Sequence, residues 1–206
     1  MAITGGYLLS QKLNKPESNG SSLPSTAVSS QNPDAGFNKT LYSVNDPSSP
    51  WVVVNKGRIL PASYVPQGLV TPKMPLRLGA VSPEMHLRSD AAAAMEQMVT
   101  QASANGSSLM LTSGYRSYYD QVAVNKAYVV SQGQAAADLS SARAGHSEHQ
   151  TGLAADLEPI TKKCELLICF GETTEGKWLA SNAYKFGFII RYQATTQNQT
   201  GYQYEP

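Results

Sequence analysis

Apolar and polar residues alternate between short strand-like runs and longer helix-like stretches from residue 51 onward. Residues 51–54 (Trp-Val-Val-Val) form a β-branched run, which predicts a strand. Residues 82–84 (Ser-Pro-Glu) have the composition of a helix start, with Ser as the N-cap and Pro at the first position. The pattern predicts that this helix continues to a stop near residues 105–106 (Asn-Gly). Its apolar stripe comprises Leu87, Ala91, Ala94, Met95 and Met98.

Later in the chain, glycines separate further segments with the apolar spacing of helices or of strands. In chain order, the pattern predicts a strand at residues 109–112, a helix at 118–132 closed by Gly133, an irregular segment at 135–150, a strand at 153–157, a helix at 177–186 stopped by Gly187 and a strand at 188–192. Helices that flank a small, mostly antiparallel sheet make an α+β domain. We therefore expect this fold class.

Residues 14–50 differ from the rest of the chain, because they are rich in Ser, Asn, Pro and Gly and contain few large apolar residues. Such a segment cannot bury enough apolar surface to fold alone. We therefore predict two parts, a flexible Ser/Asn/Pro-rich leader at residues 1–50 and a folded domain at residues 51–206. The start of the chain lacks the basic region and long apolar run of a signal peptide.

Composition limits the functional classes. The 206 residues include 41% hydrophobic and 15% charged residues, with a net charge of +1. This balance has no basic excess that would indicate a nucleic-acid partner. The sequence contains no run of about 18 apolar residues, so it predicts no transmembrane helix. Cys164 and Cys169 are spaced either for a small disulfide-closed loop, which would imply an oxidising compartment, or for two buried thiols.

The segment 147–156 (Ser-Glu-His-Gln-Thr-Gly-Leu-Ala-Ala-Asp) carries the strongest chemical signal in the chain. It contains His149 and Asp156, and a neutral imidazole and a carboxylate are ordinary zinc ligands. In the predicted strand after Gly152, alternation points Asp156 away from the apolar core face. Gly152 also permits a close approach of the loop that carries His149. Since a catalytic zinc usually has three protein ligands and one open position, this segment would supply two of the three.

The pattern Ser-x-His-x-x-Gly-x-Ala-x-Asp is the zinc motif of the VanY-type D-alanyl-D-alanine carboxypeptidases, and the sequence resembles that family of zinc peptidases (the LAS superfamily). Residues 113–117 (Ser-Gly-Tyr-Arg-Ser), with Gln121 after them, resemble the family's substrate-binding turn. Residues 178–188 resemble its late helix and strand. Residues 201–206 (Gly-Tyr-Gln-Tyr-Glu-Pro) resemble the approach to its Glu-Pro-Trp-His. The resemblance covers about residues 51–206.

The resemblance implies a role for each matched polar residue. His149 and Asp156 would be the zinc ligands. Glu205 would be the general base that takes a proton from the attacking water. Arg116 would stabilise the developing oxyanion or anchor a substrate carboxylate, since its planar fork suits both tasks. The residues that would hydrogen-bond the peptide substrate are Ser147 and Gln121.

The third zinc ligand of the family is a histidine three residues after the glutamate, whereas here Glu205 is followed by Pro206, the last residue of the sequence. Because two protein ligands bind zinc weakly, we expect the third ligand to lie beyond Pro206, which makes residues 51–206 a C-terminally incomplete carboxypeptidase domain. The alternative is a protein that ends here and is inactive.

Other residues fit the third position less well. His146 lies three residues before His149, and we expect it beside the site rather than on the metal. His86 is expected to be structural or solvent-facing. A four-ligand site made of the two neighbouring histidines with Cys164 and Cys169 is formally possible. It would leave Asp156 and Arg116 without a role.

We therefore predict a zinc-dependent metallo-carboxypeptidase that removes the C-terminal D-alanine from peptidoglycan stem peptides. The motif leaves D,D- and L,D-carboxypeptidase activity open. The alternative is a catalytically inactive peptidoglycan-binding or signalling module with the same fold. The expected cofactor is Zn²⁺, and the expected partner is a stem peptide bound by a monomer, with no nucleic acid.

The resemblance also implies an extracytoplasmic location in a bacterial cell envelope or as a secreted protein, because the substrate lies outside the cytoplasm. That location favours a disulfide between Cys164 and Cys169 over two free thiols. The leader could link the domain to a membrane anchor, and a signal or anchor before Met1 stays an open expectation.

Overall fold

The computed structural model of the chain describes residues 38–164 and 167–203. The predicted leader up to residue 37 and the predicted base Glu205 lie outside these ranges. From Lys39 onward, the described residues belong to one compact unit. This unit is an α+β fold in which short antiparallel strand pairs are combined with helices, as the pattern predicts.

The described elements are short, and several are single turns. The strands are β1 (Leu69–Val70), β2 (Leu87–Arg88), β3 (Leu109–Ser113) and β4 (Asp156–Pro159). The α-helices are α1 (Ser89–Ala104), α2 (Tyr118–Gln132), α3 (Gln134–Ser140), α4 (Thr174–Asn182) and α5 (Gln197–Thr200). Turns of 3₁₀-helix occur at Pro83–Met85, Glu148–Thr151, Ile168–Glu172, Ala183–Phe186 and Ala194–Thr196.

Two antiparallel strand pairs position the rest of the unit. Strand β1 pairs with β2, and β3 pairs with β4. In the second pair Leu111 lies opposite Leu157, after which the register shifts so that Ser113 lies opposite Asp156. Such an irregularity re-aims the side chains that follow it. A parallel bridge from Leu76 to Leu111 brings a further segment against the other edge of β3.

The core lies between α1, β3 and α4. Helix α1 buries the side chains Ala91, Ala92, Met95, Met98, Val99 and Ala102. They belong to the same cluster as Leu109 and Leu111 of β3 and Leu179 of α4. Burying side chains of this size contributes about 1.5–3 kcal/mol for each large one. The functional residues can therefore sit on strand ends and turns around a rigid centre.

Residues 39–50, which the sequence analysis places in the leader, make hydrogen bonds with later residues of the same compact unit. The Val53 N–H donates to the Val44 carbonyl at 3.0 Å. The Tyr64 hydroxyl donates to the Pro47 carbonyl at 2.7 Å. The division of the chain at residue 51 itself stays a prediction.

Strand β3 and helix α2 confirm the sequence prediction. Helix α2 has the predicted bounds, and Gly133 lies at its C-terminus. Its N-cap is Ser117, whose hydroxyl accepts a hydrogen bond from the Asp120 N–H at 3.1 Å. Local capping chemistry of this kind is readable from sequence.

The predicted start of the first helix is wrong. Residues 82–84 open a 3₁₀ turn that ends at His86, where the backbone is extended. Leu87–Arg88 then pairs with β1, and the α-helix begins only at Ser89. The strand pairing overrides the local helix signal, so Leu87 is a strand residue rather than part of the helical stripe.

Several other element predictions are corrected within the described ranges. Residues 51–54 and 188–192 form no strand, because neither segment has a neighbouring strand to pair with there. Residues 135–150 are not wholly irregular, since α3 occupies their first part. The strand predicted at 153–157 begins only at Asp156, and the helix predicted at 177–186 ends as an α-helix at Asn182 and continues as a 3₁₀ turn.

Cys164 and Cys169 are joined by a disulfide, with their Cα atoms 5.6 Å apart. The spacing in the sequence allows either a disulfide or two free thiols, and the structure has the disulfide. Within the described part of the chain, none of the helices combines the length and apolarity needed to cross a membrane.

An ion pair between Arg88 and Asp90 lies at the start of α1. Arg88 is buried, and its guanidinium donates from Nε to Asp90 Oδ1 at 2.7 Å and from Nη2 to Asp90 Oδ2. Its Nη1 donates to the Ser48 carbonyl at 2.9 Å. The hydrogen bonds from Arg88 hold the pKa of the Asp90 carboxyl below its ordinary value of 3.8.

Asp90→Asn should lower the free energy of unfolding by about 1 kcal/mol near neutral pH, less than is usual for a charge-assisted hydrogen bond, because Asp90 is half exposed and solvent screens the pair. Since the folded-state pKa is depressed, the stabilisation is present above pH 3.8 and is lost as the pH falls through the lowered pKa. Urea denaturation of both proteins across this range measures the difference. Glu172→Gln, which breaks an exposed pair with Lys177, is the control. A deficit equal at all pH values would contradict the assignment.

Candidate active site

His149 lies on the 3₁₀ turn Glu148–Thr151, which precedes β4. The turn ends at Gly152 in the left-handed region, at φ +70°, where a residue with a Cβ would be strained. A Cβ on Gly152 would also lie 3.2 Å from the Arg88 nitrogen, and the Gly152 carbonyl accepts from that N–H at 2.9 Å. The glycine therefore allows the turn that carries His149 to pack directly against β2.

The His149 ring has a defined orientation. Its Nδ1 lies 2.7 Å from the Gly114 carbonyl oxygen. Because a carbonyl only accepts, Nδ1 carries the proton and donates, which leaves Nε2 to face the cavity. Metal-binding histidines usually donate their second ring nitrogen to a backbone carbonyl or a carboxylate in this way.

Asp156 faces the free nitrogen of this ring. Its Oδ2 lies 3.4 Å from His149 Nε2. Burial alone would lower the pKa of His149, but the Asp156 carboxylate raises it, and the net pKa lies above the ordinary value. Burial likewise raises the pKa of Asp156, but His149 and then Arg116 and Arg77 lower it to a net value below the ordinary one. The two side chains are thus complementary in charge across a short gap.

This gap has the dimensions of a metal site. Two donor atoms that each lie about 2.0–2.2 Å from one tetrahedral zinc are about 3.3–3.6 Å apart. The 3.4 Å separation of His149 Nε2 and Asp156 Oδ2 falls in that range, and the imidazole and carboxylate are suitable zinc donors. Within residues 38–164 and 167–203, no group of three or more His, Cys, Asp or Glu side chains could hold a metal ion. The described residues therefore fit zinc as two ligands of a larger set.

Arg116 follows β3, and its guanidinium group donates hydrogen bonds to two neutral side chains. Its Nη1 donates to Gln121 Oε1 at 3.1 Å, and its Nη2 donates to Ser113 Oγ at 2.7 Å. Gln121 is 2% exposed and uses its Nε2 to donate to the Ala142 carbonyl at 2.6 Å. In the structure, Gln121 thus supports Arg116 through its amide oxygen, while the Ala142 carbonyl fixes its amide nitrogen.

A cavity of about 470 Å³ contains these groups, and its lining includes all five predicted site residues that the structure describes. These are Arg116, Gln121, Ser147, His149 and Asp156. Ser147 is buried at 4% exposure. Sites for small ligands usually enclose about 300–1,000 Å³. Glu205 is outside the described residues, so its predicted role stays a prediction.

Among the described residues, neither His146 nor the cysteines form a three-ligand group with His149 and Asp156. His146 uses its Nδ1 on the Asn55 carbonyl at 2.9 Å. Cys164 and Cys169 are bonded to each other and so offer no thiolate to a metal. The four-ligand alternative made of histidines and cysteines is therefore not supported.

Sequence reasoning missed several polar residues that line the cavity. Arg77 donates from Nε to the Thr112 carbonyl at 3.0 Å, and it reaches the site through the bridge beside β3. Glu148 accepts from Arg191 Nε at 2.9 Å and from the Tyr192 hydroxyl at 2.8 Å. Glu148 stands within the histidine motif, which could have marked it. Arg77 and the Arg191-Tyr192 pair carry no local signal.

Gly114→Ala should destabilise the protein and weaken metal binding. A Cβ at this position would lie 2.4 Å from the His86 carbonyl oxygen, so backbone must move. We expect a loss of about 1–3 kcal/mol in the free energy of unfolding. Displacing the carbonyl that orients His149 should lower zinc affinity about 10–100-fold in the full-length protein.

Chemical denaturation and zinc titration measure these two effects. Gly79→Ala is the matched control, because a Cβ there meets nothing within 4 Å. Unchanged zinc affinity in a destabilised Gly114→Ala protein would show that the Gly114 carbonyl does not orient the histidine.

Comparisons with known proteins agree on one family. Residues 84–206 match the sequence model described as VanY, D-alanyl-D-alanine carboxypeptidase. YodJ of Bacillus subtilis (strain 168), a protein named as a carboxypeptidase, is 39% identical over 166 residues, which are 81% of this chain and 61% of YodJ. The chain thus spans less than two thirds of that relative's length.

Two solved structures are similar in fold and in sequence. The structure of the LdcB LD-carboxypeptidase, whose description concerns peptidoglycan recognition, has a TM-score of 0.73 and 39% identity, covering 78% of this chain and 75% of that one. A mutant of the D,D-pentapeptidase VanY from a VanB-type vancomycin resistance cassette, in complex with Zn(II), has a TM-score of 0.60 and 28% identity. This match covers 78% of this chain and 85% of that one.

Proposed function

The chain belongs to the VanY family of D-alanyl-D-alanine carboxypeptidases, and on that premise we propose that it is a zinc-dependent carboxypeptidase. Its substrates are peptidoglycan stem peptides, from which it removes the C-terminal D-alanine. The observation that carries this proposal is the 3.4 Å approach of His149 Nε2 to Asp156 Oδ2 in a cavity that Arg116 also lines.

The reaction is hydrolysis of the last peptide bond. Water adds to the carbonyl carbon, and the C–N bond then breaks. The new carboxylate stays on the shortened peptide, while D-alanine leaves with a proton on its amine. No covalent intermediate with the protein forms, and no oxidant or second substrate is required.

His149 and Asp156 would hold the metal. The Gly114 carbonyl keeps the Nδ1 proton of His149 in place, so Nε2 presents its lone pair. Zinc, when bound, polarises the scissile carbonyl and lowers the pKa of water at the site. Glu205 is the proposed general base that accepts a proton from the attacking water.

Arg116 would stabilise negative charge on the substrate. Its fork is held by Gln121 and Ser113, so its direction is set before the substrate binds. A preorganised cation near the developing oxyanion is worth several kcal/mol when water is excluded. Ser147 would hydrogen-bond the peptide from the cavity wall, and Gln121 would act on the substrate through Arg116.

A cell-envelope location accompanies this function. Peptidoglycan stem peptides lie outside the cytoplasmic membrane, and the Cys164–Cys169 disulfide suits an oxidising compartment. We propose that the protein acts there as a monomer.

The direct test is hydrolysis of stem peptides by the full-length, zinc-loaded protein, with release of D-alanine measured. We expect His149→Ala and Asp156→Ala to lose zinc and to lower kcat/KM at least about 100-fold, because the metal supplies several kcal/mol. His86→Ala is the matched control and should keep both zinc and activity. Wild-type protein that binds zinc and stem peptide but releases no D-alanine would favour the non-catalytic binding module instead.

The greater likeness to LdcB than to VanY supports a preference for an L,D bond. In the same assay, a tetrapeptide ending in an L-residue followed by D-alanine should be cleaved faster than a pentapeptide ending in D-Ala-D-Ala. Faster release from the pentapeptide would assign D,D-specificity.

Arg116→Lys should lower kcat/KM about 100-fold although it keeps the charge, because the ammonium lacks the planar guanidinium that Gln121 and Ser113 hold in a fixed direction. Steady-state kinetics on the preferred stem peptide measure the loss. Arg143→Lys, at an exposed arginine paired with Asp138, is the control. Near-wild-type activity of Arg116→Lys would remove the oriented fork from the mechanism.

A further inference from the structure

A tight turn at residues 55–58 lies before the segment that matches the family model, yet it reaches two parts of the active-site region. Asn55 and Arg58 exchange two backbone hydrogen bonds of 3.2 Å. The Asn55 Oδ1 also accepts from the Gly57 N–H at 2.8 Å. The turn is therefore held by its own bonds, and it presents the Lys56 side chain from a fixed base.

The Lys56 ammonium bridges α3 and the segment after α5. Its Nζ donates to the Asp138 carbonyl at 2.6 Å and to the Gly201 carbonyl at 2.6 Å. It also lies 4.3 Å from the centre of the Tyr202 ring, a cation–π distance. One side chain thus joins its own turn to two segments that are far apart in sequence. The Asp138 carbonyl lies in the last turn of α3 and Gly201 caps the C-terminus of α5, where cations bind favourably.

The same turn also contacts the loop before the histidine motif. The Asn55 carbonyl accepts from His146 Nδ1 at 2.9 Å, and the Leu60 N–H donates to the Gly145 carbonyl at 2.8 Å. His146 lies three residues before His149. Residues 55–60 therefore brace the approach to the candidate metal ligand.

Two further contacts dock the segment that Lys56 holds. The Gln203 N–H donates to the Leu139 carbonyl at 2.8 Å. The Tyr202 ring packs edge-on against Tyr192, with centroids 5.4 Å apart, and the Tyr192 hydroxyl donates to Glu148 beside His149. The segment at 201–203 is thus linked to the histidine turn by a chain of contacts.

We propose that Lys56 is a positioning residue that holds residues 201–203 against α3 and, through the contacts of Tyr202 with Tyr192 and of Tyr192 with Glu148, steadies the turn that carries His149. Glu148 directly precedes His149, so releasing residues 201–203 should loosen the turn that presents the histidine. This inference rests on the proposed function for the role of His149. Lys56 touches no substrate and acts only through the segment it holds.

The test compares Lys56→Met, Lys56→Arg and the wild type in the full-length protein, with Lys126→Met as the matched control at an exposed lysine on α2. Lys56→Met keeps the apolar stem and removes the donors. We expect faster amide hydrogen exchange at residues 201–203, and above all at the Gln203 N–H, in the metal-free protein. Lys126→Met should leave this exchange unchanged.

The kinetic readout separates positioning from simple anchoring. Lys56→Met should lower kcat on the stem peptide about 10-fold with KM nearly unchanged, because the turn that carries His149 is held less firmly while the substrate-binding side chains are unchanged. Lys56→Arg, which keeps the charge and supplies donors, should lie closer to the wild type than Lys56→Met does.

Unchanged exchange at Gln203 in Lys56→Met would overturn the anchoring role. Faster exchange with an unchanged kcat would overturn the positioning role. A wild-type protein that releases no D-alanine would overturn the proposed function and the catalytic role of the histidine turn, and the exchange measurement would still decide whether Lys56 anchors the segment.

Discussion

The hydrogen bond from His149 Nδ1 to the Gly114 carbonyl is the contact on which the cavity depends. It selects the ring nitrogen that faces Asp156, and it ties the histidine turn to the end of β3. On the opposite side, the Gly114 N–H donates to the Glu84 carbonyl at 2.6 Å. This approach is possible only without a side chain at position 114, since a Cβ would collide with neighbouring backbone oxygens. The absence of a side chain at position 114 thus allows the close backbone packing that sets the geometry of the site.

The register of the β3–β4 pair extends this constraint to the other charged groups. The irregularity after Leu111 brings Asp156 opposite Ser113, where β4 starts. The Ser113 hydroxyl in turn accepts from Arg116 Nη2 at 2.7 Å. One strand pair therefore positions both Asp156, which faces His149, and Ser113, which accepts the hydrogen bond from Arg116. The core beneath, formed by α1 and β3, keeps this pair rigid.

Local chemistry explains which features the sequence predicts well. The cap at Ser117 and the glycine at position 133 define α2, and the spacing within 147–156 marks two groups that do meet. Features set by pairing across the chain are missed. The helix signal at residue 82 yields to the pairing of Leu87–Arg88 with β1, which no local pattern reveals.

Backbone carbonyls explain the rest of what sequence cannot show. The Gly114 carbonyl orients His149, the Ala142 carbonyl holds Gln121, and the Thr112 carbonyl holds Arg77. Every residue has such an acceptor, so its use leaves no trace in residue types. Only the folded chain decides which carbonyl points at which side chain.

The neutrality of the groups that orient Arg116 has an electrostatic consequence. Of the arginines that line the described cavity, Arg191 is paired with Glu148 at 2.9 Å, and Arg77 lies 3.4 Å from Glu84. The fork of Arg116 is held instead by an amide oxygen and a hydroxyl, which direct the cation without cancelling its charge. Among these three, Arg116 is therefore the one whose guanidinium makes no hydrogen-bonded ion pair with a carboxylate of the described residues. An arginine aimed by neutral partners beside the half-buried His149–Asp156 pair suits the oxyanion role proposed for Arg116.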